Sequence, residues 1–196
     1  MKTIPRSVTG ATRKFDLREA GNLRLAMISD THGELDEQVA AVVGGFDLVL
    51  HAGDICGAPV LEQLAAGGRE LIAVRGNNDI PRLWPEAERG ALAPIPEVVH
   101  IDLPGGRLTM EHGHRFPDEG DYHQLLREQY PTSRLIVYGH THVRSVDQDR
   151  GPWVVNPGPC GRVRLKDGPS CVTLEVAGDD WALEMHHFPL PETAAG

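Results

Sequence analysis

Residues 23–33 read LRLAMISDTHG, a short apolar run that stops abruptly at a polar cluster and a glycine. The same shape returns in FDLVLHAGD over 46–54 and in ELIAVRGNND over 70–79. Short, nearly continuous apolar runs bounded by turn residues are how strands buried on both faces of an α/β sheet read. Between the first two runs lies ELDEQVAAVVGG, 34–45, with apolar residues at helical spacing and Gly44-Gly45 as a stop signal. Between the second and third lies APVLEQLAAGG, 58–68, with the same ending. This alternation predicts parallel strands joined by right-handed crossovers.

Downstream, IPRLWPEAERGALAPIPE over 80–97 is proline-rich and aperiodic and reads as a surface loop. VVHIDLPGGRLTMEHG, 98–113, reads as a hairpin turning at Pro104-Gly105-Gly106. DEGDYHQLLREQY, 118–130, reads as a helix whose acidic start suits a helix N-terminus. RLIVYGHTH, 134–142, is another strand ending in polar residues, and 143–189 alternates the strand-like runs WVV, CVTLEVA and WALEMHHF with turns. Residues 1–22 carry no period and read as an N-terminal extension, leaving 23–190 as the folded domain and 191–196 as a tail. The expected architecture is two packed sheets with helices outside.

The chain has 196 residues and a formal net charge of −9. One domain is the natural reading of that length. The acidic balance argues against a broad basic surface for nucleic-acid backbones or anionic membranes. Cys56, Cys160 and Cys171 form no CxxC pair, so neither a disulfide framework nor a four-thiolate zinc site is expected, and a reducing cytoplasm fits best. No signal-peptide core follows the basic N-terminus, and no window approaches the ~20 apolar residues of a membrane span.

The polar strand ends carry the chemistry: Asp30-Thr-His32, Gly53-Asp54, Gly76-Asn77-Asn78-Asp79, His112-Gly-His114 and Gly139-His140-Thr-His142. In open α/β sheets ligands bind beyond the carboxyl ends of the strands, so these distant residues converge at one edge. Carboxylate, imidazole and amide oxygen are ligands for divalent first-row metals. Composition alone predicts about 0.06 occurrences of GHxH here, so the weight comes from the whole ordered set.

The series DTH…GD…GNND…HGH…GHTH resembles the calcineurin-like metallophosphoesterases, and within them the small prokaryotic phosphodiesterase branch, over about residues 23–160. The resemblance implies a four-layer αββα sandwich with two mixed sheets flanked by helices. It implies two divalent ions per chain, manganese first, with Ni²⁺, Fe²⁺, Co²⁺ or Zn²⁺ as alternatives. Asp30, His32 and His142 would hold one ion, Asn77, His112 and His140 the other, and Asp54 would bridge them. The implied reaction is in-line attack of a metal-bridging hydroxide on a small phosphate ester, a diester rather than a monoester. Two ions at +4 against two carboxylates and one hydroxide leave the pocket at about +1, so it attracts phosphate despite the acidic chain.

Many members of that family carry His after the Asn of the third cluster; here it is Asn78, a neutral amide that can hydrogen-bond phosphate but cannot act as an acid. Better turnover of esters with acidic leaving groups follows. His114 is a second candidate for contact with substrate or leaving group. Arg162 and Arg164, after the Asn156-Pro157-Gly158 turn, are candidates for holding phosphate. His51 reads as a packed, hydrogen-bonded histidine near the site, Asp79 as an orienting residue, Cys56 as a small buried side chain, and Trp84, Trp153 and Trp181 as packing or interface residues. His100, His123, His186 and His187 have no motif context. Two rivals stand beside the enzyme. One is an interaction scaffold, since a eukaryotic retromer subunit resembles the same branch, but a scaffold need not keep all seven ligands. The other is a nuclease, which would want a basic or aromatic-lined groove. The resembled branch commonly self-associates, so the resemblance allows a homo-oligomer, though the sequence itself does not set the oligomeric state; a membrane partner is not expected.

Overall fold

The described residues of this computed structural model, 12–117, 121–161 and 168–190, include strands β1 (Thr12–Asp16), β2 (Leu23–Ile28), β3 (Leu48–His51), β4 (Glu70–Ala73), β5 (Val98–Leu103), β6 (Gly106–Glu111), β7 (Leu135–Val137), β8 (Ser145–Asp147), β9 (Trp153–Asn156), β10 (Ser170–Ala177) and β11 (Asp180–His187). Helices α1 (Glu37–Val43), α2 (Ala58–Ala65), α3 (Arg89–Leu92) and α4 (Tyr122–Gln129) lie among them. One sheet has the order β1-β5-β6-β7-β9-β8 and the other β11-β10-β2-β3-β4. The β2-β3-β4 pairs are parallel, as the strand-helix alternation predicts, and β5-β6 is the antiparallel hairpin turned after Leu103.

The layers follow from side-chain alternation. Leu25 and Met27 of β2, with Leu48 and Leu50 of β3, face Val99, Ile101, Leu108, Met110, Leu135 and Val137 of the other sheet. Their neighbours Ala26, Ile28 and Val49 face the opposite way, onto Val39 and Val43 of α1 and Val60 and Leu64 of α2. Beyond the second sheet, Ile136 and Val154 pack under Leu126 of α4. Strands covered on both faces need apolar residues at every position, and that is why they read as unbroken runs. The result is a helix-sheet-sheet-helix stack in which two mixed sheets share the central core.

Two stretches differ from their sequence reading. Within 1–22, Thr12–Asp16 is an edge strand running parallel to β5. The segment 80–97 is not a plain surface loop: it carries a 3-10 turn at Glu86–Glu88 and the helix α3, and buries Trp84 and Leu92 against the α1/α2 layer. Glu88 also accepts a hydrogen bond from the amide of Ala58 (2.8 Å), capping α2, whose N-cap Gly57 has no side chain to do so. No helix among the described residues is long and apolar enough to cross a membrane.

Candidate metal centre

The ends of β2, β3 and β7 break into turns that rotate single side chains inward. Among the described residues, six non-glycine residues adopt left-handed backbone: Asp30, His32, Asp54, Cys56, His140 and His142, with φ between 49° and 67°. Five of the six belong to the sequence-predicted ligand set. Left-handed backbone costs about 1–2 kcal/mol at an L-residue and clusters where function demands it. Adjacent turns are stitched together by amides: Asp30 N donates to Gly53 O (3.0 Å), His32 N to Asp54 O (2.9 Å) and Gly139 N to His112 O (3.0 Å).

Asp30, Asp54 and His112 are buried at the floor of the site, His32, His140 and His142 are half-buried above them, and Asn77 is exposed. The Nε2 atoms of His32 and His142 are 3.1 Å apart, and His142 Nε2 lies 3.3 Å from Asp30 Oδ1. On the other side, His112 Nε2 is 3.4 Å from Asp54 Oδ1 and 3.2 Å from Asn77 Oδ1. Ligand atoms ~2.1 Å from one ion, at right or tetrahedral angles, stand about 3.0–3.4 Å apart. All four separations have that spacing. Both carboxylates reach across: Asp30 Oδ1 lies 4.0 Å from His112 Nε2, and Asp54 Oδ2 3.9 Å from His32 Nε2. Asp30-His32-His142 and Asp30-Asp54-His112 are thus two groups able to hold a metal ion, with Asp30 in both. The ring of His140 sits 5.3 Å from that of His112, at the same end.

The electrostatics point to a cation. Burial works against charge on His112, but the hydrogen bond to Asp54 and the Asp30 and Asp54 charges outweigh it and hold its pKa above the ordinary value. Burial likewise opposes charge at Asp54, yet His112 and the donors of Asn78 hold its carboxyl well below the usual range. Two buried carboxylates that raise a neighbour's proton affinity would equally stabilise a metal ion. His112 Nδ1 lies 2.8 Å from Ala52 O; donating there leaves Nε2 free as a ligand atom. The residues present fit divalent metal ions.

A model of the calcineurin-like phosphoesterase superfamily domain matches residues 23–179. The chain belongs to that superfamily. Similar curated relatives include a phosphodiesterase of Methanocaldococcus jannaschii, 26% identical over 149 residues (70% of this chain, 84% of the relative). A probable metallophosphoesterase of Methanothermobacter thermautotrophicus is 29% identical over 161 residues, covering 79% of this chain and 87% of the relative. Among solved structures, a Vps29 variant of Entamoeba histolytica superposes with a TM-score of 0.66 at 19% identity, covering 85% of this chain and 99% of that one. That likeness is one of fold.

Around the candidate ligands of this calcineurin-like domain, Asp79 and His51 are buried and hydrogen-bonded. Asp79 is buried and accepts from the amides of Ile55 (3.0 Å), Cys56 (2.9 Å) and Gly76 (2.8 Å) and from Trp84 Nε1 (3.1 Å). His51 is fully buried; Nδ1 accepts from Gly53 N (3.2 Å), so Nε2 donates to Thr31 Oγ1 (2.9 Å), and burial pushes its pKa down to about 4. Gly76 is required because a Cβ there would lie 2.1 Å from Asp54 Oδ1. Asn156 Nδ2 donates to Gly139 O (2.8 Å), placing the Asn156-Pro157-Gly158 turn against the GHTH loop.

The candidate substrate residues divide. Asn78 donates to Asp54 twice, from its backbone N to Oδ1 (2.9 Å) and from Nδ2 to Oδ2 (2.6 Å). His114 is half-buried with its ring 5.5 Å from His112 and 6.2 Å from His140, and its Nδ1 has no hydrogen-bond partner among the described residues. Burial, and then the charges of His112, Arg115 and His140, push its pKa down to about 4. Arg162 and Arg164 lie outside the described residues. Cys56, close to Asp54 in sequence, lies near the site with Sγ 3.8 Å from His32 Nδ1, and differs from its buried reading only in being partly exposed.

Proposed function

We propose that this chain is a phosphodiesterase that uses two divalent metal ions and hydrolyses small phosphodiesters. The carrying observation is that residues from five separate strand ends present N and O atoms at the separations expected of ligands to common ions. When bound, the two ions supply Lewis acidity and a coordinated water acidic enough to serve as nucleophile near neutral pH. Asp30, His32 and His142 would hold one ion and His112, His140 and Asn77 the other, with Asp54 between them. Manganese leads the candidates because N and O ligands without a thiolate suit it; Ni²⁺, Fe²⁺, Co²⁺ and Zn²⁺ share that donor set. A reducing, cytoplasmic setting accords with three free cysteines.

The protein's own groups bind and orient. Asn78 fixes the plane of the Asp54 carboxylate through two donors, and its neutral amide releases no proton. His114 carries no extra proton at neutral pH, so it contacts a phosphate oxygen as a neutral donor or acceptor and is not the acid that protonates the leaving group. Cations beside it would lower its proton affinity further. With neither Asn78 nor His114 supplying that proton, aryl diesters are favoured over alkyl diesters. The preference for diesters is supported by the phosphodiesterase relative.

The test is hydrolysis of bis(p-nitrophenyl) phosphate beside p-nitrophenyl phosphate by metal-stripped protein, with Mn²⁺, Ni²⁺, Zn²⁺ or no metal added. Metal-dependent cleavage of the diester, lost in Asp54→Ala, is expected. Two bound ions with no turnover on either ester would favour an interaction scaffold, the reading suggested by likeness of fold to Vps29. The net charge of −9 sets a polymeric nucleic acid below small esters as substrate.

A further inference from the structure

Two successive residues of α4, Tyr122 and His123, each reach one of the loops that carry the candidate ligands His112 and His140. The Tyr122 hydroxyl donates to Gly113 O (2.5 Å), the carbonyl between His112 and His114. A Cβ on residue 113 would lie 2.3 Å from that hydroxyl oxygen, so the contact also requires a glycine there. His123 is held between two groups: Nδ1 is 2.8 Å from Asp147 Oδ2, and Nε2 is 3.0 Å from the Tyr138 hydroxyl. A carboxylate only accepts, so Nδ1 carries the proton and Nε2 accepts from the phenol in the neutral ring. Asp147, on β8, is fixed in turn by Arg127 Nη2 at 2.8 Å. Tyr138 immediately precedes Gly139 and His140. Gly139 N donates to His112 O (3.0 Å), and His140 N to Asp30 Oδ2 (3.2 Å). The rings of Tyr122 and Tyr138 also meet, with centroids 5.0 Å apart. Tyr122 holds the backbone beside His112, and His123 holds the side chain of Tyr138, two residues before His140.

We infer that Tyr122 and His123 are positioning residues for the ion held by His112 and His140, acting through the Gly113 carbonyl and the Tyr138 hydroxyl. This rests on the metal-centre reading above. Groups that orient metal ligands from outside the coordination sphere are worth about 10–100-fold in affinity. Tyr122 reaches only the His112 loop, so losing its donor should weaken one ion selectively, whereas loss of general stability would weaken both; His123 acts through the loop that carries both His140 and His142, so its loss reaches the second ion as well.

The experiment is a calorimetric Mn²⁺ titration of the full, metal-stripped chain, alongside its metal-free Tm. Wild type, Tyr122→Phe and His123→Phe are compared, and His112→Ala identifies which of the two binding steps belongs to the His112 side. Tyr122→Phe keeps the ring and removes one donor, so it separates positioning from packing. We expect each variant to weaken the His112-side step by about tenfold at an unchanged metal-free Tm, and Tyr122→Phe to leave the other step within about twofold. Both steps unchanged in both variants would overturn the inference. So would both steps weakened equally alongside a fall in metal-free Tm. Failure of the wild-type chain to bind any ion would overturn the metal-centre reading itself, and this inference with it.

Discussion

The Nε2 atoms of His32 and His142, 110 residues apart in sequence, stand 3.1 Å from each other beside the buried Asp30 carboxylate. Two imidazole nitrogens converging on a carboxylate are better satisfied by a shared cation than by one proton. Saturating Mn²⁺, at about 100 times its dissociation constant, should stabilise metal-stripped protein by about 2.7 kcal/mol per ion. His142→Ala should remove most of the contribution from its ion. Thermal melts with and without Mn²⁺ check this, and equal metal-induced gains in both proteins would refute it.

Asp79 should prove structurally indispensable without touching an ion. Its carboxylate collects three backbone amides and the Trp84 indole in a buried setting. Asp79→Asn keeps the shape but turns an amide N–H toward groups that are themselves donors. The expected loss is about 2–4 kcal/mol of stability, with a shifted Trp84 fluorescence. Urea unfolding measures the first; a loss under about 0.5 kcal/mol would mean the network is dispensable.

His51 sets an acid limit on the fold. Its pKa, pushed down to about 4 by burial, lies below the ordinary value of 6.5. Protonation therefore favours the unfolded chain. The stability it contributes is complete above about pH 6.5, falls as pH drops towards 4, and is lost below that; the gap corresponds to about 3 kcal/mol. Replacing it by glutamine should flatten that part of the stability–pH curve in metal-free protein. A curve of unchanged slope in His51→Gln would refute the assignment.

What could be read in advance follows from how each feature is encoded. β2, β3 and β4 are covered on both faces, so their side chains announce themselves as continuous apolar runs. The Asp, Asn and His residues at their ends stand out because each breaks such a run. β1 was illegible: Thr12-Arg-Lys-Phe-Asp16 is mostly exposed, and only pairing with β5 makes it a strand. α3, at four residues, is shorter than two helical turns and shows no period; burial of Leu92 against the α1/α2 layer sustains it. The roles of Tyr122 and His123 had no local signal, since their partners Gly113, Tyr138 and Asp147 come from other elements. Cys56 read as core because a small thiol beside a strand end usually is, and the left-handed turn at residue 56 was invisible until the chain was folded.

The left-handed turns at the strand ends have an evolutionary corollary. Among residues other than glycine, Asp, Asn and His tolerate that conformation best. They are also the side chains that bind divalent ions. Backbone need and chemical need thus select the same amino acids at positions 30, 32, 54, 140 and 142, so drift there finds few neutral exits. Glycine is the main one: it would relax the turn while deleting the ligand. A lineage that stopped using its metal could therefore gain stability by losing those side chains.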